Sequence, residues 1–169
     1  MTLLTLSSYY SSNHPRQTRL KSGVVTVTNI EAIYRRLIDE GFNEGNLAVV
    51  DELVAPDSRE HQRGSEDGPE GAKKTIAYLR SAFPDFKITI DEVVVSGDKI
   101  WARQRGGGTN SGRFAGHAPT GRIAFTEVID ICRIENGKIV EHWGVPDQLG
   151  MMLQLGLIAP PVRHAEVTA

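Results

Sequence analysis

Apolar residues recur at two different spacings along this chain, and the change of spacing separates a helical part from a strand-rich part. Across residues 30–38 they repeat every three or four positions, which predicts an amphipathic helix. Thr28-x-x-Glu31 has the form of a capping box and marks the start of this helix. Gly45-Asn46 predicts the start of a second, shorter helix. A third helix is predicted between Pro69, which suits a first helical turn, and Pro84, which ends it.

After Pro84 the spacing changes to two, because Phe86, Ile88 and Ile90 alternate with polar residues. Asn136-Gly137 is the preferred residue pair for a tight hairpin, so the segments on either side of it are expected to pair antiparallel. The predicted strands are residues 86–95, 100–105, 122–134 and 138–145.

Three other segments connect or follow these elements. Pro56 ends the second helix, and residues 59–63 are predicted as a short extended piece. The glycine-rich residues 106–112 predict a bulge or a flexible rim that interrupts the sheet. Asp147 predicts the cap of a last short helix over residues 148–155.

Helices followed by an antiparallel meander predict an α+β domain with the helices on one face of the sheet. A strongly curved sheet of this kind can enclose a pocket. We expect this domain over residues 27–158, after a flexible leader of residues 1–26 and before a flexible tail of residues 159–169. The first 30 residues contain no Asp or Glu, a composition that transit peptides share.

Composition and charge argue against several classes of function. Among 169 residues, 19 are Lys or Arg and 21 are Asp or Glu, and no long basic run is present, which argues against nucleic-acid binding. No apolar stretch approaches the roughly 20 residues that cross a bilayer, so we expect no membrane contact. The single cysteine, Cys132, has no partner for an internal disulfide, which favours a reducing compartment, the cytoplasm.

Asp130 is the main candidate for chemistry, because it interrupts the otherwise apolar run from Val128 to Cys132. A poorly hydrated carboxylate is a stronger base and can remove a proton from carbon. The alternative is an ion pair with an arginine on a neighbouring strand: Arg103, Arg122 or Arg133.

His142 lies on the partner strand of the predicted hairpin. Counting outward from Asn136-Gly137 places His142 opposite Ile131 and beside Asp130. Trp143, next to this histidine, could form a pocket wall for a flat ligand. The alternative is a half-buried histidine whose nitrogens bond to the backbone.

Each remaining candidate for the site also has an interpretation without a functional role. His61 could point into a cavity mouth or into solvent, and Asn110 and His117 could belong to a flap over the ligand or to an ordinary turn. Tyr34 and Trp101 could line a pocket or belong to the core. The histidines show no metal-ligand spacing, so we expect no metal site. Nucleophile-elbow and phosphate-loop patterns do not fit the glycine run either.

Several of these residues together closely resemble the SnoaL-like polyketide cyclases of the nuclear-transport-factor-2-like superfamily. The resemblance extends from about Ile30 to Ile158. It departs at Asn110, where many relatives carry histidine. Its motifs are Gly108-Thr-Asn-Ser-Gly112-x-Phe114-x-Gly116, Pro119-Thr-Gly121, Asp130, Asn136-Gly-Lys-Ile-Val-Glu-His-Trp143 and Asp147-Gln-Leu-Gly150.

The resemblance implies an α+β barrel or cone around a deep apolar cavity, in a homodimer or homotetramer. It implies ring closure of a polyketide ester by an intramolecular aldol reaction without cofactor, with Asp130 as the acid/base residue and help from His142 and His61. Asn110, His117, Trp101, Trp143 and Tyr34 would then contact a small hydrophobic substrate. A related isomerase or dehydratase, or a ligand-binding protein without activity, remains an alternative on the same fold.

Overall fold

A computed structural model describes residues 27–160 of the chain. The predicted leader, most of the predicted tail and the side chain of Thr28 lie outside the described residues. The helical elements are α1 (Val27–Arg36), its π-helical continuation (Leu37–Asn43), α2 (Ala48–Leu53), α3 (Gly68–Ala82) and α4 (Gln148–Leu155). The strands are β1 (Val54–Glu60), β2 (Lys87–Ser96), β3 (Lys99–Thr109), β4 (Ile123–Glu135) and β5 (Lys138–Pro146).

The helices form where the apolar spacing predicts them. Ile30, Tyr34 and Ile38 are buried along one face of α1 and its continuation. Asn46 accepts a hydrogen bond through Oδ1 from the Ala48 amide at the start of α2 (3.2 Å). In α4, Asp147 accepts from the Gly150 amide (2.8 Å), as its predicted capping role requires.

The five strands form one sheet in the order β1-β5-β4-β3-β2. All neighbouring pairs are antiparallel except β1 and β5, which run parallel. The sheet is curved but does not close, because β1 and β2 remain at its two edges. The predicted α+β fold with mostly antiparallel strands is therefore confirmed. We call the sheet face that packs against the helices the inner face and the opposite one the outer face.

Strand β1 is longer than predicted and begins earlier. The predicted extended piece over residues 59–63 is confirmed only at Arg59 and Glu60, because the chain is already extended from Val54, immediately after α2, and the strand ends at Glu60. Pro56 lies within this strand, which tolerates a residue without an amide proton because it is an edge strand.

The glycine-rich segment does not interrupt the sheet at its start. Gly106, Gly107 and Gly108 continue β3 in unbroken register with β4, so the predicted bulge was wrong. These glycines instead permit close approach of the backbone. A Cβ at Gly107 would lie 2.0 Å from the Ala124 carbonyl oxygen, and one at Gly108 would lie 2.4 Å from Asp85 Oδ1.

The β4–β5 hairpin contains an irregularity that moves His142. Glu135 pairs with Lys138 as the two-residue turn predicts, but the register then shifts after Ile134. His142 consequently pairs with Cys132, and the predicted pairing with Ile131 was wrong. Cross-strand partners share a face of the sheet, so the shift turns the His142 ring onto the face that carries Asp130.

Among residues 27–160, none of the helices is long and apolar enough to span a membrane.

Candidate active site

A cavity of about 480 Å³ lies between the helices and the inner face of the sheet. Most of its wall is apolar, and much of this apolar lining comes from the helical layer. Six of its polar side chains lie together on one wall, where β1, β3, β4 and β5 meet α1: Tyr34, Glu60, Gln62, Gln104, Asp130 and His142. Arg63, Glu66 and Lys74 line the cavity from the loop after β1 and from α3. The cavity therefore suits a largely hydrophobic molecule that presents its polar atoms to this wall.

Asp130 lies on this polar wall and is 8% exposed. Its Oδ2 atom accepts hydrogen bonds from Gln104 Nε2 (2.6 Å) and from the Tyr34 hydroxyl (3.1 Å). Arg103 and Arg133 lie on the outer face, where they pair with other carboxylates. Neither arginine therefore forms the ion pair with Asp130 that was the alternative from the sequence. Of the two carboxylate oxygens of Asp130, Oδ1 has fewer partners.

Tyr34 and Gln104 bind the Asp130 carboxylate at Oδ2. Both side chains are 1% exposed, and the Tyr34 oxygen also lies 2.9 Å from Gln104 Oε1. Burial raises the pKa of Tyr34 well above its usual range, and the nearby negative charge of Asp130 adds to the effect. Tyr34 is thus a neutral phenol that acts as a hydrogen-bond donor.

His142 lies between two carboxylates. Its Nδ1 atom is 2.7 Å and 2.9 Å from the two carboxylate oxygens of Glu60, and its Nε2 atom is 3.4 Å from Asp130 Oδ1. Burial alone would lower the pKa of His142, but the hydrogen bonds and charges of Asp130 and Glu60 outweigh burial and raise it to about 10. The ring is therefore an imidazolium at neutral pH.

Gly144 and Gln62 complete the surroundings of the carboxylate. Gly144 pairs with Asp130 across the hairpin and offers no side chain to the cavity. A Cβ at this position would lie 2.1 Å from Gln62 Oε1 and 3.1 Å from Asp130 Oδ1. The missing side chain leaves the space beside Oδ1 to the Gln62 amide and the His142 ring.

The two tryptophans and His61 lie away from the cavity. Trp101 and Trp143 both pair with Ile131, one residue from Asp130, so their side chains are on the outer face. The His61 ring stacks on Trp143 with centroids 4.6 Å apart, and its Nε2 atom is 2.8 Å from Glu141 Oε1. The structure therefore separates His61, Trp101 and Trp143 from Asp130, whereas it brings Tyr34 and His142 to it.

Asn110 and His117 are also outside the cavity. Asn110 is fully buried and uses its amide to hold the loop between β3 and β4: Nδ2 donates to the Gly112 carbonyl (2.8 Å), and Oδ1 accepts from the Thr120 amide (2.9 Å) and hydroxyl (3.0 Å). His117 is exposed and forms a backbone bridge with Phe114. Phe114, rather than either predicted residue, lines the cavity from this loop.

Sequence reasoning missed Gln104 and Glu60. Gln104 is a polar residue at an inward position of β3, between Ala102 and Gly106, so the alternation of β3 could have revealed it. Glu60 comes beside His142 only through the parallel pairing of β1 with β5, which no local pattern predicts. Within residues 27–160, no group of three or more His, Cys, Asp or Glu side chains has an arrangement that would hold a metal ion.

Comparison with known proteins supports the resemblance. The family model of the SnoaL-like polyketide cyclases matches residues 32–155. The chain is 31% identical to the nogalonic acid methyl ester cyclase of Streptomyces nogalater over 122 residues, which cover 68% of this chain and 89% of the relative. It is 31% identical to the aklanonic acid methyl ester cyclase DnrD of Streptomyces peucetius over 136 residues, which cover 76% of this chain and 91% of the relative.

A solved structure agrees with these sequence matches. The structure of TsrD from Streptomyces laurentii superimposes with a TM-score of 0.73 at 31% sequence identity. The superposition covers 79% of this chain and 98% of that protein.

Proposed function

This chain belongs to the SnoaL-like polyketide cyclase family, and from that premise we propose that it closes a ring in a small hydrophobic polyketide ester by an intramolecular aldol reaction. One observation carries the proposal. Asp130 is a buried carboxylate on the polar wall of a largely apolar cavity, and its Oδ1 has only the 3.4 Å approach of His142 Nε2 as a charged partner. A carboxylate in such a position can act as a base toward a carbon acid.

The reaction begins with proton removal. Asp130 Oδ1 takes a proton from a carbon flanked by carbonyl groups, and the electrons of the broken C–H bond form an enolate. Gln104 and Tyr34 stabilise the carboxylate through Oδ2 and so leave Oδ1 to receive the proton. The imidazolium of His142 donates Nε2–H to the enolate oxygen, where negative charge develops.

Carbon–carbon bond formation follows. The enolate carbon attacks a second carbonyl carbon that the cavity holds nearby, and the electrons of that C=O bond move to its oxygen. The carboxylic acid of Asp130 then returns its proton to this alkoxide. Product and substrate have the same mass, and the step requires no co-reactant.

Polyketide methyl esters are the test substrates that the relatives' names suggest. We expect the purified protein to convert nogalonic acid methyl ester or aklanonic acid methyl ester into a product of equal mass and different retention time, followed by liquid chromatography with mass detection. Asp130→Asn should reduce turnover by about 100-fold or more without loss of the fold. Asp91→Asn is the matched control, because Asp91 pairs with Arg103 and Arg105 on the outer face. Equal turnover by the wild type and Asp130→Asn would remove Asp130 as the base.

A ligand-binding protein without activity is the second candidate function. Asn110 favours it, because its amide is engaged with the loop backbone and does not face the cavity. This candidate predicts saturable binding of the same esters without conversion, and an affinity that Asp130→Asn leaves unchanged.

We also propose that the chain pairs with a second copy through the outer face, in a homodimer or in one half of a homotetramer. Val94, Trp101, Ile129 and Val145 are exposed there on neighbouring strands, and each is at least 43% exposed. Charges of both signs flank them, so a twofold axis can match the face with itself. Light scattering after size exclusion tests this, and Trp101→Glu should yield monomers.

The unpaired, buried Cys132 leads us to propose the cytoplasm as the compartment.

A further inference from the structure

Glu60 lies behind the His142 ring, on the side away from Asp130. The parallel register pairs Glu60 directly with His142, and both Glu60 oxygens are within 2.9 Å of Nδ1. Glu60 is itself fixed: its backbone N–H donates to Asp67 Oδ1 and its Oε1 accepts from the Gln62 amide, each at 2.7 Å. The carboxylate is therefore held in one place relative to the ring.

The two ring nitrogens of His142 are held unequally. Nδ1 makes short contacts with Glu60, whereas the 3.4 Å from Nε2 to Asp130 Oδ1 is longer than an ordinary hydrogen bond. Carboxylates only accept hydrogen bonds, so a ring with a carboxylate at each nitrogen donates to both only as the imidazolium. Glu60 thus fixes the orientation of the ring, and the loosely held Nε2–H remains available toward the cavity.

The groups that face His142 favour the protonated form of its ring. From β1 it faces Glu60, from β4 it faces Asp130 and Cys132, and Tyr34 of α1 lies beside Asp130. Burial raises the pKa of the Cys132 thiol, so Cys132 and Tyr34 stay neutral, and Gln62 carries no charge. Glu60 and Asp130 are then the charged groups among these neighbours.

We propose that Glu60 is a positioning residue: it turns Nε2–H of His142 toward the cavity and keeps it protonated, so that His142 donates a hydrogen bond to the enolate oxygen and does not act as a base. This inference rests on the proposed cyclase function. It assigns Glu60 a role through His142 and no contact with the substrate. By the same reasoning, the base of the reaction is Asp130 alone.

The first test needs no substrate. Histidine ring signals of the labelled full-length protein are followed by NMR as a function of pH, with His142→Gln to assign the resonance. We expect the His142 midpoint to lie well above the ordinary value of about 6.5 in the wild type, and to fall by about 1 to 3 pH units in Glu60→Gln. Glu60→Gln keeps the shape of the side chain and an acceptor for the Gln62 amide. Glu141→Gln is the control, because Glu141 bonds His61 and Arg133 on the outer face.

The second test uses turnover of aklanonic acid methyl ester. In Glu60→Gln we expect kcat to fall as the pH rises above the lowered His142 midpoint, about tenfold at one pH unit above it with KM within about twofold, and to recover when the pH is lowered to 6, where His142 is protonated again. Loss of a purely structural contact would not be repaired by acid.

The outcomes separate the two proposals. A wild-type midpoint near 6.5, or a midpoint that Glu60→Gln leaves in place, overturns the role of Glu60 whatever the turnover shows. A midpoint that moves as expected in a protein without any turnover supports control of His142 by Glu60 and contradicts the cyclase function. If Glu60→Gln does not fold, Asp130→Asn decides: a His142 midpoint that stays well above 6.5 without the Asp130 charge supports the role of Glu60, and one that falls to about 6.5 overturns it.

Discussion

Gly144 faces Asp130 directly across the β4–β5 ladder, and a Cβ at Gly144 would lie 3.1 Å from Asp130 Oδ1. The same Cβ would lie 2.1 Å from Gln62 Oε1. A side chain at this position would thus take up the space that the Gln62 amide now fills beside Oδ1. Gly144 therefore shapes the surroundings of Asp130 as much as the groups that bond to the carboxylate do.

The first prediction concerns that space. Gly144→Ala should keep the fold, because Gly144 has no left-handed backbone conformation and the nearest atom, at the end of the Gln62 side chain, can move aside. We expect turnover to fall about tenfold, because the new methyl group lies 3.0 Å from His142 Cε1 and 3.1 Å from Asp130 Oδ1 and crowds both. Steady-state kinetics and the melting temperature measure the two effects.

Gln62→Ala, alone and combined with Gly144→Ala, distinguishes direct crowding by the new methyl group from displacement of the Gln62 amide. If the methyl group itself crowds Asp130 and His142, the double variant stays slow while Gln62→Ala alone is nearly normal. A double variant with restored turnover would instead attribute the effect to the displaced amide of Gln62.

The second prediction concerns the support of Asp130. Tyr34→Phe removes a buried hydroxyl that lies 2.9 Å from Gln104 Oε1 and 3.1 Å from Asp130 Oδ2. We expect the free energy of unfolding to fall by about 1 to 3 kcal/mol, because buried polar atoms lose a partner. Urea unfolding measures it. Tyr78→Phe is the control: its half-exposed hydroxyl accepts one hydrogen bond, from the Ala115 amide, and should cost less. Equal losses in the two variants would contradict the prediction.

The sequence predicts the α+β fold and the buried position of Asp130 for physical reasons that hold in the structure. Apolar spacing sets the helices and strands, and a carboxylate inside an apolar strand comes to lie in a dry place. Adjacent residues of a strand point to opposite faces, so His142 and Trp143 could never have lined one cavity together. That argument was available from the sequence alone.

Other features depend on long-range pairing and could not be predicted. The shift after Ile134 decides which face His142 occupies, yet no residue near the Asn136-Gly137 turn signals it. Glu60 reaches His142 because β1 adds to the sheet in parallel beside β5, far away in the sequence. The inward turn of Asn110 is equally a tertiary effect, since its partners come from α3 and from the far end of its own loop.

The third prediction concerns this loop. Asn110→Ala leaves the Gly112 carbonyl and the Thr120 amide without their side-chain partner. We expect a loss of about 2 to 3 kcal/mol in unfolding free energy and faster amide hydrogen exchange across residues 110–122. Exchange followed by mass spectrometry measures the local effect. His117→Ala, in the same loop but exposed, should change neither, and unchanged exchange in Asn110→Ala would contradict the anchoring role.

The last prediction follows from the charge on His142. Its pKa is raised from an ordinary 6.5 to about 10 in the folded chain, because the hydrogen bonds and charges of Asp130 and Glu60 outweigh the opposing effect of burial. The folded state therefore binds a proton that the unfolded state releases at lower pH. The resulting stabilisation is fully present below pH 6.5 and is lost as the pH rises through about 10.

Urea unfolding at several pH values between 6.5 and 10 measures this loss, and we expect the wild type to become steadily less stable across that range. His142→Gln should show a flatter dependence, although it is less stable at every pH because it leaves Asp130 and Glu60 without a cation between them. Cys132 and Tyr34, whose raised pKa values also favour the folded state at lower pH, are present in both proteins and cancel in the comparison. Parallel curves for the two proteins would show that His142 is not an imidazolium in the folded chain.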